Sequence, residues 1–388
     1  MDKNVLKLKY ESMFGECDDV RYYFSPGRIN VIGEHIDYNG GLVFPCAISL
    51  GTYAVVTLRS DNKIVLYSEG VPKAGVISFS LKEELVKGDN WVDYVKGVVS
   101  ETKALGCKVS QGFTAYVYGN LPRGASVSSS ASLELLFAEI VRDLNSLELS
   151  DLDLVKISQK AENNFVGLRC GIMDQFAIGM SKKDHAILLD CATVKYEYVP
   201  LELKDNVILI MNTNKSRSLV TSKYNERCDE CASCLKSIKE NYKNVNFLCE
   251  LELSDLDEVK KVIENPVVYN RVKHVVSEMD RVKKTYASLN AGDLEMVGKL
   301  LNGSHKSLKE DYEVTGLELD TIVELAQKEQ GVLGARMIGA GFAGCAIAIV
   351  KKSAVDSVIK NVCKGYKEII GYDCEILVAE TNNRTSRI

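Results

Sequence analysis

Apolar positions follow two different periods along the chain, and these periods predict both strands and helices. Apolar and polar residues alternate over 53–59, 63–68 and 112–118, which is typical of half-buried strands. From Leu133, apolar residues recur at i, i+3, i+4, i+7, i+8 and i+11, which places one apolar stripe along a helix. Strands and helices do not alternate in a regular βαβ rhythm, so the pattern predicts an α+β fold rather than a doubly wound sheet.

The second half of the chain has a different character. Charged amphipathic helices are predicted there over 225–240, 267–289 and 317–327. A chain of 388 residues exceeds one ordinary hydrophobic core and predicts two domains. No low-complexity linker separates them, and we expect the domains to span 1–200 and 201–388.

Composition and charge narrow the class of protein. The charged fraction of 26% and the net charge of −5 are those of a globular protein without the basic field of a nucleic-acid binder. The first ten residues lack the apolar core of a secretory signal, and no run approaches the roughly 18 apolar residues of a membrane span. We therefore expect a cytoplasmic protein with no nucleic-acid or membrane partner, and a monomer is the expected oligomeric state.

Twelve cysteines are scattered along the chain, mostly in apolar surroundings, and we expect reduced, partly buried thiols. Three of them, Cys228, Cys231 and Cys234, have a spacing that could hold zinc or an iron–sulfur cluster. The surrounding segment 224–239 is predicted as a helix without Gly or Pro, however, and positions i and i+6 of a straight helix point in different directions. The predicted helix therefore disfavours a metal site at these cysteines.

Residues 25–41, which we call the signature segment, combine ionisable side chains with glycines. Arg28, Glu34, His35 and Asp37 lie within ten residues. The carboxylates can accept hydrogen bonds from vicinal hydroxyls, the imidazole can donate or accept, and the guanidinium suits a phosphate. This chemistry indicates a polyol held beside a phosphoryl group. The alternative is a polar turn between two strands, but a turn needs one or two glycines and not four ionisable groups besides.

Residues 122–132, the phosphate loop, lie between a predicted strand and the helix with the apolar stripe. Free backbone N–H groups and the positive end of the helix dipole favour an anion at such a helix start. Serine is also the favoured cap residue, so an ordinary helix cap is the alternative, but five serines within seven positions exceed that need. Ser130 could also offer an oxygen to Mg²⁺. No Gly-Lys-Ser/Thr follows, so this is not a Walker A loop.

Residues 339–344, the glycine-rich loop, fit the pattern Gly-x-Gly-x-x-Gly. We expect a helix before this loop and a strand after it, which is the reverse of the order in a dinucleotide-binding fold. The loop is therefore interpreted as part of a different kind of site, and a tight structural turn is the alternative.

Asp174 is the carboxylate of the aspartate segment, residues 167–174, which we expect between the helix that holds Glu162 and a strand. Its neighbours Met173 and Phe176 are apolar. A carboxylate in such surroundings beside a cation suits the role of a proton acceptor. The alternative is that Asp174 caps a helix.

These motifs occur in the order found in galactokinases, members of the GHMP small-molecule kinase superfamily, and the resemblance covers nearly the whole chain. The signature segment resembles the N-terminal galactokinase motif, and the phosphate loop and the glycine-rich loop resemble the second and third GHMP motifs. The run Cys-Gly-Ile-Met-Asp-Gln around Asp174 is similar to the one that carries the family's catalytic aspartate. Ser126, Ala340 and Ala343 stand where the family usually has glycine.

The resemblance implies an α+β fold of the GHMP-kinase type, with an N-terminal ribosomal-protein-S5-like domain, a C-terminal ferredoxin-like domain and a cleft between them. It implies that Asp174 takes or orients the proton of the sugar's anomeric hydroxyl, and that Arg28 keeps this aspartate charged and stabilises the transferred γ-phosphoryl group. The residues implied to hold the sugar are Glu34, His35, Ile36, Asp37, Gly171 and Tyr224. The residues implied to bind ATP are Ser68, Gly124, Ala125, Ser126, Val127, Ser128, Ser129 and Ser130. The residues implied to hold Mg²⁺ are Ser130 and Glu162.

We accordingly predict an enzyme of galactose metabolism that uses ATP and Mg²⁺ to phosphorylate galactose at its C1 hydroxyl. Two alternatives are open at this point. One is a kinase for another sugar, such as N-acetylgalactosamine or a uronic acid, and the other is a non-catalytic regulator that binds galactose and ATP. Asp174 and the run of serines are both intact in this chain, which favours an enzyme.

Overall fold

The computed structural model describes residues 1–122, 127–168, 170–215 and 220–388. Within these ranges the helices are α1 (Lys3–Phe14), α2 (Val92–Ala104), α3 (Ser129–Leu144), α4 (Asp151–Lys160), α5 (Met173–Met180), α6 (Val220–Asn241), α7 (Leu256–Val262), α8 (Pro266–Asn290), α9 (Leu294–Glu310), α10 (Leu317–Lys328) and α11 (Val355–Ile370). The strands are β1 (Arg21–Asn30), β2 (Leu42–Val43), β3 (Pro45–Leu58), β4 (Lys63–Ser68), β5 (Ile77–Ser80), β6 (Phe113–Gly119), β7 (His185–Asp190), β8 (Tyr196–Pro200), β9 (Asn206–Asn212), β10 (Val332–Met337), β11 (Cys345–Lys351), β12 (Glu375–Ala379) and β13 (Ser386–Arg387).

The first sheet has six strands in the order β13-β1-β3-β6-β4-β5. Strands β1, β3 and β6 pair antiparallel, whereas β4 and β6 run parallel. Buried side chains of α2 and α3 pack with those of β3, β4 and β6 in one hydrophobic cluster. The stripe predicted along α3 is confirmed, because four of its side chains are buried in this cluster and two lie at its margin: Leu136, Phe137, Ile140 and Val141, then Leu133 and Leu144.

A second, four-stranded antiparallel sheet has the order β10-β11-β9-β12, and a third sheet has the order β2-β7-β8. Helices α9 and α10 pack against β10. The largest hydrophobic cluster joins Leu209 and Ile347 of the second sheet to Ile29 and Ile32, which lie in and just after β1. The core of the second sheet therefore reaches the signature segment.

The last strand of the chain, β13, returns to the first sheet. It pairs antiparallel with β1, where Ser386 lies opposite Phe24. Just before it, the Thr385 and Ser25 hydroxyl oxygens lie 2.8 Å apart in a buried hydrogen bond. Strand β13 therefore forms one edge of the first sheet, beside β1.

Two local expectations are wrong. The glycine-rich loop follows strand β10, not a helix, and it connects β10 to β11 as a hairpin. Gly334 explains why β10 was missed: a Cβ there would lie 2.1 Å from the Gly298 carbonyl oxygen, so this glycine lets α9 approach the strand and interrupts the alternating pattern. Asp174 lies in the first turn of helix α5, and no strand follows it directly. Residues 175–179 of α5 are all buried, and a helix buried all round has no polar face to reveal its period.

The cysteine-containing segment is helical, as expected, and forms part of α6. The Cys231 sulfur lies 3.1 Å from the Tyr312 hydroxyl, and the Cys234 sulfur lies 3.5 Å from the Val268 carbonyl oxygen. Among the described residues, no group of three or more His, Cys, Asp or Glu side chains is arranged to hold a metal ion. Across the same ranges, no helix combines the length and apolar character needed to cross a membrane.

Candidate active site

The signature segment leaves β1 through a turn that is constrained by close backbone packing. Gly33 has φ = +101°, and a Cβ at this position would lie 2.8 Å from the Leu42 carbonyl oxygen. His35 has φ = +62°, in the left-handed region that side chains rarely adopt. Because neighbouring contacts hold this backbone, the ionisable side chains after Gly33 project into one cavity.

The cavity has a volume of about 300 Å³. Its lining brings together seven of the residues implied by the resemblance together with four others: Arg28, Glu34, His35, Asp37, Gly171, Asp174 and Tyr224, then Cys170, Met173, Gly339 and Ala340. The signature segment, the aspartate segment, helix α6 and the glycine-rich loop therefore converge on one site.

One wall of the cavity carries a charged pair. Arg28 Nε donates to Asp174 Oδ1 at 2.8 Å, and Arg28 Nη2 lies at the same distance from that oxygen. The Ser128 hydroxyl donates to the other oxygen, Asp174 Oδ2. The Arg28 backbone N–H also donates to the Val127 carbonyl oxygen at 3.2 Å, which joins β1 to the end of the phosphate loop. The Arg28 cation, the Asp174 carboxylate and the start of α3 are therefore held next to one another by direct hydrogen bonds.

On the opposite side, Glu34 is held by the second half of the chain. Its Oε1 accepts a hydrogen bond from the Gly339 backbone N–H at 2.9 Å. The same oxygen lies 3.1 Å from Arg336 Nη2, and the Arg336 side chain is completely buried. Both groups come from β10 and the loop after it, so Glu34 connects the signature segment to the second sheet.

His35 makes a second connection of this kind. Its Nε2 lies 3.2 Å from the Ala340 carbonyl oxygen, and its Nδ1 lies 2.8 Å from the Tyr38 hydroxyl. Burial, with His274 nearby, lowers the pKa of His35 to about 3, so the ring is neutral at neutral pH. A carbonyl only accepts, so Nε2 carries the proton and Nδ1 accepts from Tyr38. The Tyr38 oxygen in turn accepts from the Tyr312 hydroxyl, 2.8 Å away.

Two residues of α8 hold the backbone between these side chains. Glu278 is fully buried, and its Oε1 accepts from the Gly33 N–H at 3.0 Å and from the Ser304 hydroxyl at 2.7 Å. Arg281 Nε donates to Glu278 Oε2 at 2.7 Å. His274 Nε2 lies 3.2 Å from the Glu34 carbonyl oxygen. Glu34 and His35, two of the sugar-binding residues expected from the sequence, are therefore positioned by the second half of the molecule.

Asp37 and Tyr224 complete the cavity. Burial, together with the nearby Asp174 carboxylate, raises the pKa of Asp37 to about 6. Burial also raises the pKa of Tyr224, with Asp37 as the next cause, so its hydroxyl stays protonated and can donate. A carboxylate acceptor and a phenol donor side by side are suited to adjacent sugar hydroxyls.

A cluster of hard oxygen donors lies beside the charged pair. Gln175 Nε2 donates to Glu162 Oε2 at 2.7 Å and to Glu134 Oε2 at 3.0 Å. Ser130 lies beside the Glu162 carboxylate. Burial raises the pKa of both glutamates. Glu134 Oε1 is buried without a hydrogen-bond partner among the described residues. Carboxylate and hydroxyl oxygens of this kind are hard donors, which fit a Mg²⁺ ion.

Some predicted residues lie away from the cavity lining. The Ile36 side chain is fully buried in the core. Ser68 is buried at the end of β4, and Val127 to Ser130 lead into α3. Gly124, Ala125 and Ser126 lie outside the described residues.

Sequence analysis missed Arg336, Glu278, His274 and Glu134. A signal existed for two of them: Arg336 is the one charged residue within 332–350, and Glu134 interrupts the apolar run of α3. A charge inside such a run indicates a buried partner. Glu278 and His274 lie in a helix rich in charged residues, where nothing in the sequence separates a buried charge from an exposed one.

Comparison with known proteins agrees with this geometry. Residues 8–58 match the galactokinase galactose-binding signature, 93–182 the GHMP kinases N-terminal domain and 285–368 the GHMP kinases C-terminal domain. The chain is 50% identical over 384 residues to a galactokinase of Clostridium perfringens, covering 99% of each.

Solved structures agree as well. The crystal structure of Lactococcus lactis galactokinase complexed with galactose superposes with a TM-score of 0.92 at 47% identity and 99% coverage of both chains. Methanococcus jannaschii mevalonate kinase shares the fold, with a TM-score of 0.67 at 19% identity, over 95% of this chain and 100% of that one. The fold and site define a GHMP kinase. Within that class, the chain belongs to the galactokinase family, and the predicted fold class is confirmed.

Proposed function

We propose that this protein transfers the γ-phosphoryl group of ATP to the C1 hydroxyl of D-galactose. The observation that carries the proposal is the Arg28–Asp174 pair at 2.8 Å in the same cavity as Glu34 and Asp37. Such an arrangement holds a polyol beside a group that can receive its proton. The relative from Lactococcus lactis, 47% identical, was crystallised with galactose.

Asp174 is proposed to accept the proton of the C1 hydroxyl. As this oxygen attacks, a bond to the γ-phosphorus forms, the bond from that phosphorus to the β–γ bridging oxygen breaks, and ADP leaves. Arg28 pairs with the Asp174 side chain and would stabilise negative charge on the transferred group. Ser128 donates to the same carboxylate and fixes its rotation.

The other cavity residues are proposed to hold the sugar. Glu34 and Asp37 accept from hydroxyls, and the Tyr224 hydroxyl donates. Gly171 leaves room for the ring at the cavity wall. Both ring nitrogens of His35 are engaged by protein groups, so His35 is proposed to shape the cavity, and Ile36 to anchor its backbone from the core.

ATP is the phosphoryl donor of this kinase family. We propose that its phosphates bind at the start of α3 through Val127, Ser128, Ser129 and Ser130, continued by Gly124, Ala125 and Ser126. Ser68 is proposed to contact the base. Ser130 and Glu162 would hold Mg²⁺, which supplies charge neutralisation to the phosphate oxygens.

We further propose a domain boundary between β8 and β9, close to residue 200. Strands β9 to β12 form one sheet, which supports a second domain that begins at about residue 201, whereas β13 pairs with the first sheet. We propose that the enzyme acts as a monomer, which light scattering of the purified protein would test.

The function is tested by assaying purified protein against galactose, glucose, N-acetylgalactosamine and galacturonic acid, with ADP release as the readout. We expect turnover with galactose and a phosphorus NMR signal of a sugar 1-phosphate. Methyl galactoside, which lacks a free C1 hydroxyl, is expected to compete with galactose without being phosphorylated. The proposal is wrong if galactose gives no ADP while another sugar does.

A further inference from the structure

Arg336 is a completely buried arginine near the end of strand β10. Its Nη1 donates to the Val31 carbonyl oxygen at 2.9 Å, and its Nη2 lies 3.1 Å from Glu34 Oε1. Both partners belong to the signature segment, and Val31 is 305 positions away in sequence. Arg336 itself does not line the cavity.

Stability alone does not account for this arginine. Removing a guanidinium from water is costly, and apolar residues of similar volume usually replace buried ion pairs without loss of stability. The neighbours of Arg336 in β10, Ala335 and Met337, are fully buried apolar residues that need no such partner. A buried charge at this position therefore indicates a role in fixing the group with which it pairs.

The paired group is a carboxylate at the cavity. Glu34 Oε1 accepts a hydrogen bond from the Gly339 N–H at 2.9 Å and forms an ion pair with Arg336, whose Nη2 lies 3.1 Å away and makes no hydrogen bond among the described residues. A carboxylate oxygen held by a hydrogen bond and an adjacent buried cation cannot turn away without losing both. Because Glu34 lines the cavity, its other oxygen, Oε2, is then presented to the sugar in a single orientation.

We propose that Arg336 is a positioning residue for sugar recognition, which fixes Glu34 so that Oε2 accepts a hydrogen bond from one galactose hydroxyl. This inference rests on the proposed function. Arg336 acts through Glu34 without touching either substrate, so it contributes to galactose affinity and not to ATP affinity.

The main test is Arg336→Lys, which keeps the charge and loses the planar fork that reaches both partners. We expect the KM and the dissociation constant for galactose to rise about tenfold, with the KM for ATP unchanged. In Arg336→Lys/Glu34→Gln, the loss of galactose affinity should be smaller than the product of the two single losses, because both changes remove the same contact.

A series of deoxygalactoses gives a readout that a merely structural role would not move. One of these sugars should bind the wild-type protein about tenfold more weakly than galactose, because it lacks the hydroxyl that meets Glu34. Arg336→Lys should lose that discrimination. If the Arg336→Lys variant does not fold, Arg336→Gln replaces it in this test, because glutamine keeps a donor for the Val31 carbonyl oxygen.

Arg142→Lys is the matched control. Arg142 also bonds a carbonyl oxygen and carboxylates, those of Leu149, Asp151 and Glu139, but at the far end of α3. It should leave the galactose KM unchanged. The inference is overturned if Arg336→Lys keeps the wild-type KM and the full deoxygalactose discrimination in a protein that phosphorylates galactose. A wild-type protein inactive on galactose would instead contradict the proposed function.

Discussion

The two sides of the cavity are built in different ways. On the phosphoryl side, Arg28 and Ser128 both contact Asp174, and all three come from the first 180 residues. On the sugar side, Glu34 and His35 come from the same stretch of chain, yet their side chains are held by groups beyond residue 300. Glu34 and His35 are close to Arg28 in sequence, but the positions of their side chains depend on the second half of the chain and not on the phosphoryl side.

This difference explains why so many buried polar groups surround the signature segment. A change in the position of the second sheet would move Glu34 and His35 while leaving the Arg28–Asp174 pair intact. Chemistry and sugar recognition can therefore be disrupted separately, and the four predictions below test that separation from the largest effect to the smallest.

Loss of Asp174, on the phosphoryl side, should have the largest effect of the four changes. In Asp174→Ala we expect kcat to fall by about 10³-fold, because general-base catalysis typically contributes 10² to 10⁴. Galactose and ATP should still bind, since the sugar side is held by the other half of the molecule. Single-turnover kinetics and calorimetry measure these effects. Unchanged turnover would show that Asp174 does not receive the proton.

Loss of Glu278 should disturb the sugar side of the cavity more than the phosphoryl side. This fully buried carboxylate accepts from Gly33, Ser304 and Arg281, so Glu278→Ala leaves buried donors unpaired and should lower the free energy of unfolding by about 3–5 kcal/mol.

Glu258→Ala is the matched control for that loss, since Glu258 also pairs with a basic residue three positions away, Lys261, but on the surface. It should cost less than about 1 kcal/mol. Urea unfolding measures both values, and equal losses would show that the Glu278 contacts do not hold the signature segment.

The pH dependence separates the two substrates. The pKa of Asp37 is raised to about 6, so this carboxyl takes up a proton as the pH falls through that value. Only the ionised form accepts hydrogen bonds at both oxygens, so the galactose KM should rise as the pH falls, by up to about tenfold for each pH unit below 6. The ATP KM should not follow.

Asp37→Asn is the control for this profile. It should bind galactose more weakly at neutral pH and lose the steep rise below pH 6, because no proton competes with the sugar at that position. His35 cannot cause the rise, since burial lowers its pKa to about 3. A profile that is identical in Asp37→Asn would assign the titration to another group.

The smallest effect concerns the hydrogen bonds behind His35. Tyr38→Phe removes the donor to His35 Nδ1 and should lower the free energy of unfolding by about 1 kcal/mol. Nitrogen NMR of the four histidines should show His35 protonated at Nε2 in the wild type. Tyr286→Phe, which removes an exposed hydroxyl bond to Glu197, should leave stability unchanged. A His35 proton on Nδ1 would contradict the assigned direction of this chain of hydrogen bonds.

Much of the site was predictable, because its chemistry is concentrated in short motifs. Arg28, Glu34 and Asp37 stand out in the signature segment, since no core or turn needs such a group of charges. Asp174 stood out as a lone carboxylate among apolar residues. Their convergence on one cavity could be predicted only through the resemblance to a known family, because residues 28 and 174 are linked by no periodicity.

The rest depends on tertiary contacts that leave weak traces in a single sequence. Strand β10 was missed because Gly334, needed for the close approach of α9, breaks its pattern. Helix α5 was missed because it is buried on every side. In the sequence, Glu278 resembles any exposed glutamate of a charged helix. Only the fold, which brings the Gly33 backbone N–H to its side chain, shows that it is buried.

The pairing of β13 with β1 has a consequence for how the protein folds. The strand that carries Arg28 meets this edge partner across 360 positions of sequence. Closing so long a loop costs more conformational entropy than pairing neighbouring strands, so this contact should form late. Until it forms, the free N–H and C=O groups at that edge of β1 are open to other strands, and the wall behind Arg28 is incomplete.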